Sequence, residues 1–261
     1  MAHTLYENQV LENKIESLLT TAIDMNAYMT IDNSLTHDAG MKKAVNVYTA
    51  AGNVEDLAMG EGNSGEIEVS FTTREYEVTT TQGKFSYFDE QEMKDPMLVE
   101  VGLKAIAEKM TNDLTTKAIA EFEKTTNYAY YNSGEGIVFG DVVDAIAKLN
   151  TEDESGLFLL INPEEKAQMR KSLGEELKDT EGFARTGYIG TVCGVPVIVS
   201  KAVPATHAFL ATKDAVTCFV KKGSEIEQER DADIRKNDVY ARKVMLVALT
   251  DESKVIKFVS K

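Results

Sequence analysis

The chain has no tryptophan, two cysteines, three histidines and four prolines in 261 residues. Each scarcity closes off a class of function. Cys193 and Cys218 are too few and too far apart for a disulfide framework or a cysteine-based zinc site. Both sit among apolar residues, in "GTVCGVPVIVSKAVP" and "AVTCFV", and read as small buried hydrophobes in strands. His3, His37 and His207 have no second histidine at metal-ligand spacing and read as surface or loop residues. No metal and no cofactor is therefore expected. No apolar run approaches the roughly 20 residues of a membrane span. The start, "MAHTLYENQVLENK", lacks the charged and apolar regions of a secretory signal. A cytoplasmic chain without a membrane partner is the expectation. Cations are the minority charge: 28 Lys and Arg against 43 Asp and Glu give a net charge of −15. Binding to phosphates needs the opposite balance, so this one favours solubility and argues against sequence-specific nucleic-acid binding.

Catalytic signatures are equally thin. There is no G-x-S-x-G elbow, no P-loop and no dinucleotide glycine fingerprint. The glycine-rich "GEGNSG" carries an acid that would repel phosphate. A Cys–His nucleophile would need His207 beside Cys193 or Cys218, and apolar surroundings raise rather than lower a thiol pKa. Carboxylates are abundant, which leaves a paired-carboxylate enzyme as a rival reading. Runs such as Glu152-Asp153-Glu154 and Glu175-Glu176 read as solvated faces.

What the chain does have is organisation. Residues 5–29 carry Leu11, Ile15, Leu18, Leu19, Ala22 and Ile23 at helical spacing, as an amphipathic arm would. Ile67, Val69 and Phe71, then Tyr76 and Val78, then Phe85 and Tyr87, alternate as strands do. Gly60, Gly62 and Gly65 mark a flexible tip and Gln82-Gly83 a turn, so the region reads as a long polar hairpin. A lone hairpin is marginal in water and needs something to lie on.

Residues 95–124 give the strongest helix signal. Asp95 suits the N-cap and Pro96 the first turn, and Val99, Leu103, Ile106, Met110, Leu114, Ala118 and Phe122 follow in steps of three and four. A shorter helix, "FGDVVDAIAKLN", precedes the buried strand "GLFLLIN" and the helix "PEEKAQMRKSLGEEL". The stretch 190–204 reads as a second core strand and "HAFLATKDAVTCFV" as a third. The end of the chain is strand-rich, from "SEIEQERD" through "VYARKVMLVAL" to "KVIKFV". The class is α+β, and a chain with core signals, a projecting hairpin and an arm but no catalytic constellation looks built for contact with other chains.

In this order the pieces resemble the major capsid protein family of tailed bacteriophages, with its Hong Kong 97-like fold. The likeness rests on "LFLLINPEEKAQMRKSL", "GYIGTVCGVPVIVSKAVP" and "IEQERDADIRKNDVYARKVMLVAL". The resemblance implies an N-terminal arm (1–44), an extended loop (45–92), a peripheral domain with a spine helix (93–135), an axial domain (136–222) and peripheral return strands (223–261). Gly194 and Pro196 would shape the start of an axial strand. It implies no enzyme but a homo-oligomer, with pentamers and hexamers closing an icosahedral shell around double-stranded DNA held without sequence-specific contacts. Portal and scaffold proteins would be partners, and the particle would assemble in the host bacterial cytoplasm. With the arm beginning at Met1, a separate scaffold is the expectation. Arg74, Glu75, Arg230 and Asp231 are candidate inter-subunit contacts. Some members crosslink a loop Lys to a peripheral Asn; Lys84 and Asn237 are the nearest candidates, without a local motif. Rival readings are an encapsulin-type compartment, which shares the fold but holds protein cargo, and a phage tail or decoration protein.

Overall fold

A computed structural model describes residues 25–37, 40–132, 136–150, 154, 156–176 and 190–260. Most of the expected helix over 5–29, with His3, lies outside the described residues, as do Glu152, Asp153 and the loop 177–189. In chain order the elements begin with β1 (Thr30–Asp32), β2 (Lys42–Ala51), β3 (Glu68–Glu77), β4 (Thr79–Phe88), α1 (Asp89–Lys94) and α2 (Met97–Phe122). Then come β5 (Tyr128–Tyr131), α3 (Phe139–Leu149), β6 (Leu157–Ile161), α4 (Pro163–Glu176), β7 (Thr191–Val192) and β8 (Val195–Val199). The chain finishes with β9 (His207–Thr212), β10 (Val216–Asp231), β11 (Lys236–Leu249) and β12 (Val255–Ser260).

They form three sheets: β1-β10-β11-β4, β5-β12-β9-β6-β8-β7, and the ribbon β2-β3. The helix α2 runs 26 residues, about 39 Å at 1.5 Å per residue. All seven of the apolar residues named for it from the sequence are buried. It starts two residues later than expected, and Asp95 still caps it, its Oδ1 accepting the Met97 N–H at 3.0 Å. The first half of α2 packs on the four-stranded sheet, with Leu103, Ile106 and Met110 against Tyr87, Ile226 and Val239. Its second half enters a core shared by both large sheets, where Phe122 meets Phe158 and Phe209.

The six-stranded sheet explains why "LFLLI" is apolar throughout. As β6 it lies between β9 and β8, and all five residues are buried. α4 starts as predicted at Pro163, with Asn162 Oδ1 accepting the Glu164 N–H at 2.9 Å.

Three expectations change. Gln82-Gly83 is no turn. Both residues lie inside β4, opposite Arg242 and Ala241 of β11. Glycine is there because α2 passes close by: a Cβ on Gly83 would sit 3.0 Å from the Ile106 side chain. The true hairpin is β2-β3, in register from Lys42↔Glu77 to Ala51↔Glu68. Second, Cys193 is not in a strand. With φ of 51° at Cys193 and 80° at Gly194, the pair forms the two-residue turn between β7 and β8, the backbone that a tight hairpin demands. Third, "HAFLATKDAVTCFV" is two strands in two sheets. The chain crosses from β9 to β10 at 213–215, and β12 returns to the six-stranded sheet.

Candidate assembly surfaces

The hairpin β2-β3 projects from a fastened base. Leu35, Val45, Tyr76 and Val78 pack there against Phe219, Leu246 and Ala248 of the four-stranded sheet. The Val78 N–H donates to the Met41 carbonyl at 2.8 Å, at the point where one continuous stretch passes from ribbon to sheet. Polar groups complete the base. Arg74 Nη2 lies 2.8 Å from Glu252 Oε2, while Glu252 Oε1 accepts the N–H and hydroxyl of Thr126 at 2.7 and 2.6 Å. Burial alone would raise the Glu252 carboxyl. The two Thr126 hydrogen bonds and Arg74 outweigh it and hold the group below its ordinary range.

Beyond that base the ribbon has no cover among the described residues. Tyr48 and Phe71 stand opposite each other with ring centroids 6.0 Å apart. Tyr48, Ile67, Val69 and Phe71 are each 55–65% exposed, and Val54 is 88% exposed. An apolar patch of this kind marks a contact surface. Residues 52–68, which turn the ribbon around, hold five acids and no base.

Three of the four charged residues picked from the sequence are engaged within their own chain. Arg74 is tied to Glu252, as described. Arg230 Nη2 lies 2.8 Å from Asp89 Oδ2, and Asp231 Oδ1 accepts the Asp233 N–H at 3.0 Å. Glu75 is exposed, opposite Ala44 on the ribbon. The structure therefore does not bring the four together. Arg230 and Asp231 shape the β10–β11 turn, where Arg235 also pairs with Glu90 at 2.7 Å. The alternating acids of β10 have a similar local cause: Arg242 binds Glu225 and Glu227, both at 2.7 Å. With Lys222, Arg242 holds the Glu225 carboxyl down to about 2.

The crosslinking candidates are occupied too. Lys84 Nζ lies 2.8 Å from Asp238 Oδ2, and this hydrogen bond raises the Lys84 pKa above the ordinary lysine value. A charged ammonium is not a nucleophile. Asn237 is buried and its amide donates to Asp89 Oδ1 at 2.7 Å. His207 is likewise no loose surface residue: its Nδ1 is 2.7 Å from Glu123 Oε1, and Glu123 also pairs with the buried Lys257. This network ties the end of α2 to β9 and β12. Cys218 is buried, and burial raises the Cys193 thiol. Among the described residues no group of three or more His, Cys, Asp or Glu side chains could hold a metal, and no helix is long and apolar enough to cross a membrane.

Two sheets joined by a long helix, with an uncovered ribbon reaching outward, define a protein whose working parts are surfaces for other chains. The family comparison agrees: residues 71–258 match the phage capsid protein model, and the chain belongs to that family. It is similar to the major capsid protein of Staphylococcus phage phiMR11, 25% identical over 259 residues, covering 95% of this chain and 91% of the relative. Among solved structures it resembles the virus-like particle from Pyrococcus furiosus, with TM-score 0.67, 11% identity, and coverage of 97% and 100%. It also resembles the mature capsid of bacteriophage PhiM1, with TM-score 0.67, 11% identity, and coverage of 91% and 86%. The fold is the α+β, Hong Kong 97-like fold expected from the sequence.

Proposed function

We propose that this chain is the major capsid protein of a tailed phage or prophage, and that copies of it close into an icosahedral head shell around double-stranded DNA. The observation that carries the reading is the β2-β3 ribbon, whose apolar face is left uncovered among the described residues. Covering four side chains that are each more than half exposed recovers about 1 kcal/mol apiece. One such contact is weak, but a closed shell repeats it in every subunit, and the sum holds. In this reading the axial domain, expected over 136–222, centres on the six-stranded sheet with α3 and α4, which the chain leaves at 213–215 and rejoins through β12. The four-stranded sheet with α2 is the peripheral domain, residues 1–44 are the arm and 45–92 the extended loop. The −15 charge suits a wall that encloses DNA without gripping it. Portal and scaffold proteins would be its partners in the host cytoplasm, and the virion its destination.

The family match over residues 71–258 and the phage relative favour this reading over the encapsulin-type one; the solved structures similar in fold, which include both phage capsids and a virus-like particle, fit either. Negative-stain electron microscopy of the purified protein tests it. Closed particles are expected; discrete small oligomers under all assembly conditions would overturn it. Nucleic acid inside particles recovered from infected cells supports the phage reading, and protein cargo would favour the compartment.

A further inference from the structure

One buried carboxyl stands apart from the charge pairs described above. Glu165, in the first turn of α4, is 5% exposed, and Tyr131, at the end of β5, is 4% exposed. Tyr131 belongs to the apolar cluster that holds Ile137, Leu159, Met169 and Phe258. Its hydroxyl oxygen lies 3.0 Å from Glu165 Oε1 and 3.1 Å from the Thr206 carbonyl oxygen. Both neighbours are acceptors when the carboxyl is ionised, and a tyrosine hydroxyl carries one hydrogen. One of the two contacts therefore needs a second hydrogen. A single hydrogen shared between both would leave an anion in an apolar site with no cation to compensate it. Glu165 Oε2 is also buried, with no hydrogen-bond partner among the described residues. The titratable groups that act on Glu165 are Tyr131 of β5 and Glu164 beside it on α4, neither of them a cation. His207, next to Thr206, is turned to Glu123 of the α2 end instead. Burial raises the Glu165 carboxyl, with Tyr131 and the Ile137 backbone opposing.

We infer that Glu165 is a neutral carboxylic acid in the folded subunit, donating through Oε1 to the Tyr131 hydroxyl, which donates in turn to the Thr206 carbonyl, and that loss of this proton loosens α4 from β5. In the acid form each hydrogen has one acceptor, and the relay ties α4, β5 and the turn before β9 together. In the ionised form two acceptors compete for one hydrogen and a bare charge is left among apolar side chains. The device belongs to the subunit, goes beyond the capsid reading, and holds whether or not copies assemble. Its sign is fixed. A proton held in the folded state stabilises below the ordinary glutamate pKa of about 4.3, and that stabilisation is lost as pH rises from there to the folded value.

The test uses full-length, unassembled subunits. NMR follows the Glu165 carboxyl carbon, assigned through its own backbone, in a pH titration of the wild type. It is expected to keep the shift of a neutral acid after the exposed glutamates have ionised; titration together with them overturns the inference. Hydrogen exchange of the α4 amides, corrected for its intrinsic pH dependence, is the second readout. Wild-type protection falls by up to about tenfold per pH unit across that window, and protection in Glu165→Gln does not follow that slope. Equal slopes in the two proteins overturn the loosening. The α2 amides of the same wild-type sample give a control that needs no variant: α2 and α4 responding alike also overturns it.

Discussion

Gly102 offers a stringent test of how α2 and β4 are held together. It is a buried glycine inside a 26-residue helix, where alanine is ordinarily better by about 1 kcal/mol. Its backbone is ordinary, so alanine meets no conformational strain. The obstacle is steric. A Cβ built on Gly102 would lie 2.5 Å from Phe85 Cζ and 2.6 Å from both Cε atoms, well inside van der Waals contact. Phe85 must move, and it is held by stacking on Tyr87 with centroids 5.6 Å apart. Overpacking of this kind costs about 1–3 kcal/mol, and three simultaneous clashes put it at the upper end. After subtracting the helix gain, Gly102→Ala destabilises by about 2 kcal/mol, or about 4–8 °C in Tm for a chain of this size. The measurement is thermal and urea unfolding of unassembled subunits. Phe85→Leu in the same chain removes the ring, so the double variant is more stable than the sum of the single losses by about 1 kcal/mol or more. A Gly102→Ala protein as stable as wild type, or more so, would refute this account of the helix–strand approach.

Two other outcomes follow from the geometry. Glu165 is buried, lies 3.0 Å from the Tyr131 hydroxyl, and has its carboxyl raised by burial, with that hydrogen bond opposing. A raised folded pKa contributes stability below the ordinary carboxylate pKa and loses it as pH rises through the folded value. Glu165→Gln keeps a hydrogen-bonding group without the charge, so its Tm relative to wild type should climb with pH across that window; parallel Tm–pH curves would contradict this. Boiled, denatured particles should run as a single 28.8 kDa band, since Lys84 and Asn237 are both engaged within the chain; a ladder of multiples would show covalent joining.

Much of the architecture was legible from local signals. The seven apolar positions of α2 follow from 3.6-residue periodicity, and the Asp95 cap and Pro163 start follow from terminal chemistry. The apolar run of β6 announced a strand covered on both faces. Those features depend on residues a few positions apart, and side-chain chemistry at that range leaves few alternatives. The misreadings share one cause. Gln82-Gly83 looks like a turn to any local rule, but the glycine answers to Ile106, which lies on another element. Cys193 looked like a strand residue because its neighbours are apolar, while the positive φ at it and Gly194 belongs to the β7–β8 turn. The Arg74–Glu252 and Arg230–Asp89 pairs were not legible at all, because the partners lie 178 and 141 residues apart along the chain.

By itself, then, the amino-acid order determined most of the described helices and strands and which of their faces are apolar. Tertiary structure alone decided which strands pair, which charges are consumed inside the subunit, and that β4 has β11 as its one partner among the described strands. The physical reason is range. Periodicity and capping act within a turn or two of the chain, whereas sheet partners, ion pairs and close glycine contacts exist only after distant segments have been brought together.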